Sequence, residues 1–245
     1  SALLSLTRGR LAKVPDGPMT PHYRKLAWTS ASFAFFADVA MGTLGGSLKF
    51  REKLTGRLGD ILSWMFLLTA TFRKYEVEGR NPKHTAVVDH IAQRGFSEIQ
   101  QAFDGVFQNL NFPILGSLLR GPVSWWSRLN SLQNGVSDKV GNDVVKAMLE
   151  QDGIRMDLSK NMHIPSDPNH PFCILERAFE LSAKADNVIR KLRKASRKGE
   201  VEKGRPMAIR EKAVEAGVIT AEEGKILLEA HTAMTQAVQV DDFPA

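Results

Sequence analysis

A chain of 245 residues that is 43% hydrophobic is long enough for one large domain or two small ones and too apolar to be disordered. Its formal charge of +6, from 33 basic and 27 acidic residues, permits an anionic partner but, lacking aromatics interleaved with the basic side chains, gives no case for a nucleic acid. The lone cysteine, Cys173, excludes an internal disulfide framework and fits a reducing compartment, with a core-filling role weighed against that of a nucleophile.

The first residues, SALLSLTRGRLAKVP, show no initiator Met, no long apolar h-region and no small-residue cleavage site, so they do not read as a signal peptide. The expectation is a fragment or processed piece, with residues 1–20 a truncated lead-in. Pro21 after a Thr20 cap then opens one long helix from His22 to Leu48, weakened at its end by Gly45 and Gly46. From Arg51 a second helix places Leu54, Leu58, Ile61, Met65, Leu68, Phe72 and Tyr75 at alternating spacings of four and three, the seam of a packed helix. Arg73, Lys74, Gly79 and Pro82 mark its stop. A third helix repeats the pattern with Ala92, Phe96, Ile99, Phe103, Val106 and Leu110, and three consecutive apolar seams make a bundle.

Pro113, Gly116, Gly121, Pro122 and Gly135 break the middle into short helical turns under a loop. Helix returns over Ser137 to Gln151. The segment MHIPSDPNHP, with three prolines, reads as a non-helical strap, followed by helix from Phe172 to about Lys198. A final hairpin has Gly217 past its first helix and Thr220-x-x-Glu223, a capping box, opening its second. No segment sustains period-two alternation. The expected fold is all-α: a helical bundle over 21–135, then a helical extension over 136–245 with the strap and hairpin.

Three stretches invite a functional reading. Between Lys25 and Lys49 the only charge is Asp38, and Gly42 and Gly46 have GxxxG spacing, so the run is long enough to cross a membrane. A charge near the bilayer centre, and dilution by Ser, Thr, Ala and Gly, favour instead a central bundle helix covered on all sides. The basic run at 189–205, eight Lys or Arg against two Glu, fits a solvated helix end, since the helix dipole favours cations there; it is also the better candidate for peripheral contact with anionic lipid or a phosphorylated ligand. Arg51, Lys53 and Arg57 could face a phosphate-bearing ligand. The plainer alternative pairs Arg57 with Asp60 and lets Gly56 and Gly59 admit another helix.

The six histidines, His22, His84, His90, His163, His170 and His231, form no HxxxH or HExxH pair, and no catalytic, cofactor-binding or metal site is assigned by spacing.

The stretch LGGSLKFREKLTGRLGDILS, the EGR of residues 78–80, SDK at 137–139, PSDPNHPFCILERAF, AGVITAEEGKIL at 216–227 and VDDF at 240–243 together resemble the C-terminal region of the large bacterial acyl-CoA dehydrogenases of the FadE type. The resemblance runs in order over nearly the whole chain. It implies a flavoenzyme of fatty-acid β-oxidation that converts medium- or long-chain acyl-CoA to trans-2-enoyl-CoA, a glutamate removing the α-proton while the β-hydrogen passes as hydride to FAD. It also implies that the glutamate and most flavin contacts lie in a core upstream of Ser1, and that the partners are acyl-CoA, an electron acceptor, that core and a second copy of the chain. The implied location is cytoplasmic or peripheral to the inner membrane. A stand-alone helical interaction or scaffold module is the alternative.

Overall fold

The computed structural model describes residues 7–110, 115–150 and 153–239. Residues 1–6, Pro113, Gln151 and the VDDF of 240–243 lie outside the described residues. Among the described residues every regular element is helical, as the seams require. The chain divides into two compact units, Ser1–Ile154 and Arg155–Ala245.

In the first unit, α1 spans Thr20–Leu44, α2 Glu52–Val77 and α3 Thr85–Asn109. Thr20 is not the cap that the sequence suggested. Met19 occupies that position without a side-chain bond, while Thr20 Oγ1 donates to the Pro15 carbonyl and accepts the Gly17 amide, both at 2.9 Å. The hydroxyl thus ties the lead-in to the helix. α1 also stops at Leu44 rather than Leu48, because Gly45 turns to φ +50°, and a 3-10 segment over Gly45–Phe50 carries the chain to α2.

α2 and α3 form an antiparallel hairpin. Tyr75 Oη meets Thr85 Oγ1 at 2.9 Å, Leu68 lies on Gly95, and Arg57 lies across Gly105. A Cβ at position 95 would stand 2.8 Å from Leu68 Cδ2, so glycine there sets how closely the two helices approach. The seam residues Leu54, Ile61, Met65, Leu68, Phe72 and Tyr75 are buried, as are Ala92, Phe96, Ile99, Phe103, Val106 and Leu110. Leu58 sits half-buried at the edge of the same core. The hairpin turn puts Gly79 at φ +77° and Arg80 at φ +58°. Arg80 is held there by its Nε bond to Glu76 Oε2 at 2.6 Å.

The broken middle is short turns: α4 (Leu115–Leu118), a π turn over Leu119–Val123 containing Pro122, and α5 (Ser124–Leu129). α6 (Asp138–Leu149), capped by the Ser137 hydroxyl, packs on α3. That packing carries the first unit past residue 135, where the sequence placed a division.

The expectation of a first helix covered on all sides does not hold within this unit. α1 buries only Thr29, Ala31, Ala40 and Leu44, Phe35 is 57% and Met41 55% exposed, and a Cβ added at Gly42 or Gly46 would meet open space. α2 and α3 approach α1 from one sector only. An all-round apolar sequence therefore keeps part of its surface open, at Phe35, Met41 and Gly42 among others.

The second unit holds α7 (Ile154–Ser159), which starts at its border, α8 (Pro171–Lys198), α9 (Arg210–Glu215) and α10 (Ala221–Val238). Arg155 Nη1 donates to both Glu176 carboxylate oxygens at 2.8 and 2.7 Å, and its guanidinium covers Phe179 at 4.3 Å, which fastens α7 to α8. The strap is tied back by Cys173 Sγ, which donates to the Pro165 carbonyl at 3.3 Å. α8 ends where Gly199 adopts φ +79°, a conformation glycine reaches without the Cβ penalty. The capping box forms as read: Glu223 N–H donates to Thr220 Oγ1 at 3.1 Å and Thr220 N–H to Glu223 Oε2 at 3.0 Å. Val188, Leu192, Ile209, Ala213, Ile219 and Leu227 make the core of this unit.

Candidate functional site

α1 presents Trp28, Ser32, Phe35 and Phe36 at spacings of one helical turn and its multiples, so they share one side of the helix. Beside them α3 presents Phe103 and Phe107, with Phe36 4.7 Å from Phe107 and 5.9 Å from Phe103 between ring centroids. α5 supplies Trp126 and closes the third side. Together with Val123 and Leu132 these side chains enclose a half-open apolar pocket of about 420 Å³, within the size range of small-molecule sites.

A buried amide helps to hold the wall formed by the broken segment. Gln100 lies on the apolar side of α3, one turn after Phe96, and is 8% exposed. Its Nε2 donates to Ser127 Oγ at 2.8 Å and to Asp104 Oδ1 at 3.0 Å, and its Oε1 accepts the Leu132 amide at 3.0 Å. One side chain thus satisfies a buried backbone donor and pins both α5 and the following loop. A polar residue in a seam position is the signal that could have singled it out in the sequence.

Behind the pocket, Lys25 Nζ donates to the Leu132 carbonyl at 2.8 Å and to Gln133 Oε1 at 3.1 Å. Burial pulls its pKa below the ordinary value, and Asp89 opposes that shift in part. His22 Nε2 lies 2.5 Å from Asp89 Oδ1, and its ring stacks on Phe72 and Phe96 at 5.8 and 6.3 Å. Tyr23, also packed on Phe72, has its hydroxyl pKa raised by burial and by Glu76, against the lowering effect of Arg73 and Arg80. These groups sit in the helix interface, not on the pocket wall.

The pocket's polar lining is the hydroxyls of Thr29, Ser32 and Ser127 and the amides of Gln100 and Asn130. Such a set can orient an apolar ligand or partner, but it holds no group that titrates near neutral pH. The lining likewise carries no cation and no glycine turn for the diphosphate of a dinucleotide, so the residues that line it do not fit FAD. Among the described residues no three His, Cys, Asp or Glu side chains gather as a metal site.

The sequence candidates fall elsewhere. Arg51 and Lys53 are exposed. Arg57 does not turn to Asp60; its side chain crosses Gly105, where a Cβ would stand 2.5 Å from Nε, and its Nη1 reaches the Lys53 carbonyl at 3.4 Å. A Cβ added at Gly56 or Gly59 would meet open space. The glycines that admit a neighbour are Gly95 and Gly105 on α3, because they, and not Gly56 or Gly59, face the hairpin seam. Leu48, by contrast, packs on the core edge. Residues 48–64 therefore build the α1–α2 corner and the start of the hairpin.

No solved structure matches this chain. The family model for the acyl-CoA dehydrogenase C-terminal region of bacterial type matches residues 1–243, which takes in the α2–α3 hairpin, the strap and the closing α9–α10 pair alike. A match over that extent shows that the chain belongs to the family of bacterial-type acyl-CoA dehydrogenase C-terminal domains.

Proposed function

We propose that this chain is the C-terminal helical part of an FAD-dependent acyl-CoA dehydrogenase that oxidises medium- or long-chain acyl-CoA to trans-2-enoyl-CoA in fatty-acid β-oxidation. The observation that carries the reading is the family match over residues 1–243, to a region described as C-terminal. The catalytic base and most flavin contacts belong, on this reading, to a core supplied by other residues of the parent enzyme. The chain contributes an apolar docking surface and cover for the acyl chain. The open side of α1 with Phe35 and Met41, and the outward Leu62 and Phe66 of α2, all at least half exposed, support that role, since apolar patches of this kind mark interaction surfaces. The parent enzyme works in the cytoplasm as a homo-oligomer and passes electrons to a separate acceptor.

A second reading, a stand-alone helical interaction module, is favoured by one observation: the pocket lining offers hydroxyls and amides but no acid or base. One experiment separates the two. Purified residues 1–245 should be colourless, should lose FAD on gel filtration, and should not reduce a dye acceptor with palmitoyl-CoA. Adding the core, fused or as a separate chain, should restore turnover, and Phe35→Asp with Met41→Asp should abolish that restoration without lowering the melting temperature. A yellow preparation of this chain alone that reduces the dye would place a complete site within it. No restoration by any core would favour the interaction module.

A further inference from the structure

The end of α8 and the loop after it carry eight basic residues against two glutamates between Ile189 and Arg205. The helix dipole accounts for cations only in the last turn. That last turn holds Arg197 and Lys198; ion pairs account for two more, Arg190 with Asp186 and Lys191 with Glu223, and Lys198 also meets Glu200 at 3.4 Å. Glu202 is taken by Lys212. Arg193, Lys194, Arg197, Lys203 and Arg205 have no acidic partner among the described residues, and Arg193 and Arg197 stand one turn apart on the same side of α8, where like charges repel.

Between these two arginines and the returning loop lies a cavity of about 130 Å³, walled by Arg193, Ser196, Arg197, Gly204 and Pro206 and floored by Ile209. No carboxylate lines it. Ser196 Oγ makes only a long bond, 3.5 Å, to the Glu202 carbonyl, so its hydroxyl can serve a ligand. Gly204 is packed so closely that a Cβ would stand 2.8 Å from Ile209 Cγ2, and a side chain there would press on the cavity wall. Two exposed arginines and a serine beside a small, acid-free notch offer the donor types that a phosphate group takes.

We propose that this notch binds a phosphate group, with Arg193 and Arg197 holding its non-bridging oxygens and Ser196 supplying a third contact. The phosphate comes from an anionic phospholipid headgroup at a membrane surface or from a soluble phosphorylated molecule, and the test distinguishes the two. The inference does not rest on the oxidoreductase reading, and its test reads binding rather than turnover, so the two can fail separately.

The full chain is sedimented with phosphatidylcholine vesicles with and without phosphatidylglycerol, and titrated with inorganic phosphate by calorimetry. Four proteins are compared: wild type, R193Q/R197Q, single R197Q, and K53Q/K139Q, which removes the same charge from exposed positions of the first unit. For a headgroup site, R193Q/R197Q should lose about thirty-fold in affinity for the anionic vesicles and R197Q about five-fold, while K53Q/K139Q should lose less than about three-fold. Inorganic phosphate bound by wild type and not by R193Q/R197Q, with no binding to anionic vesicles, would assign the site to a soluble phosphate. The single variant keeps the test open if the double variant melts early. Binding to neither probe, or equal losses in R193Q/R197Q and K53Q/K139Q, would overturn the proposal, since net charge rather than the notch would then be acting.

Discussion

Replacing Gln100 by Ala removes the buried amide that joins α3 to the wall of the apolar pocket. The Leu132 amide, on a residue 5% exposed, loses its acceptor at 3.0 Å, and an orphaned buried donor costs about 1–3 kcal/mol. The bonds to Ser127 and Asp104 reach half-buried partners that water can serve, so they add about 1 kcal/mol between them. The total should be about 2–4 kcal/mol, against under about 1 kcal/mol for Ser127→Ala, which leaves the Leu132 bond in place. Urea unfolding followed by far-ultraviolet circular dichroism gives the global figure. Tryptophan fluorescence reports the wall itself, because Trp125 and Trp126 lie on α5, and in Gln100→Ala it should change before the helical signal does. Coincident transitions, or a loss no larger than that of Ser127→Ala, would show that the amide is not what holds the segment.

Ile61→Ala should cost about 2–5 kcal/mol, Leu58→Ala less, and Lys53→Ala under about 0.5, because the first is fully buried, the second half-buried and the third exposed; thermal melts in that order check the face of α2, and equal midpoints would refute it. Bonds from Lys191 and from the Thr220 amide hold the Glu223 carboxyl below its ordinary value of 4.5. The stability it adds is therefore present above pH 4.5 and lost as pH falls through the depressed value, so Glu223→Gln should flatten the acid limb of the stability profile; an unchanged limb would remove Glu223 from the account. Any membrane attachment of the intact protein should be at the surface, since α1 with the 3-10 segment after it, Thr20–Phe50, is the one helical stretch among the described residues with the length and hydropathy of a span and it carries Asp38 near its middle. A carbonate wash should release the protein, and retention in the pellet would contradict this.

The α2 and α3 seams were legible in the sequence because helical periodicity is local: a residue three or four positions away is a neighbour in space whatever the rest of the chain does. The same holds for the Thr220–Glu223 capping box, whose two partners are three residues apart, and for the proline-rich strap. α7 was not legible, since its six residues are too few to show a period, and what fixes it is the Arg155–Glu176 bond across 21 positions. Gln100 reads as an ordinary polar residue until residues 127 and 132 arrive beside it. The glycines differ in the same way. Gly56, Gly59, Gly95 and Gly105 are equivalent as letters, and only the antiparallel pairing of α2 with α3 decides that the last two admit a neighbour. For α1, the sequence determined an apolar helix without deciding where its cover comes from, because composition records which surface avoids water and not which chain meets it. The tertiary structure decides which sectors are covered within this unit, by α2 and α3, by the broken segment with α5, and by the lead-in at Gly9.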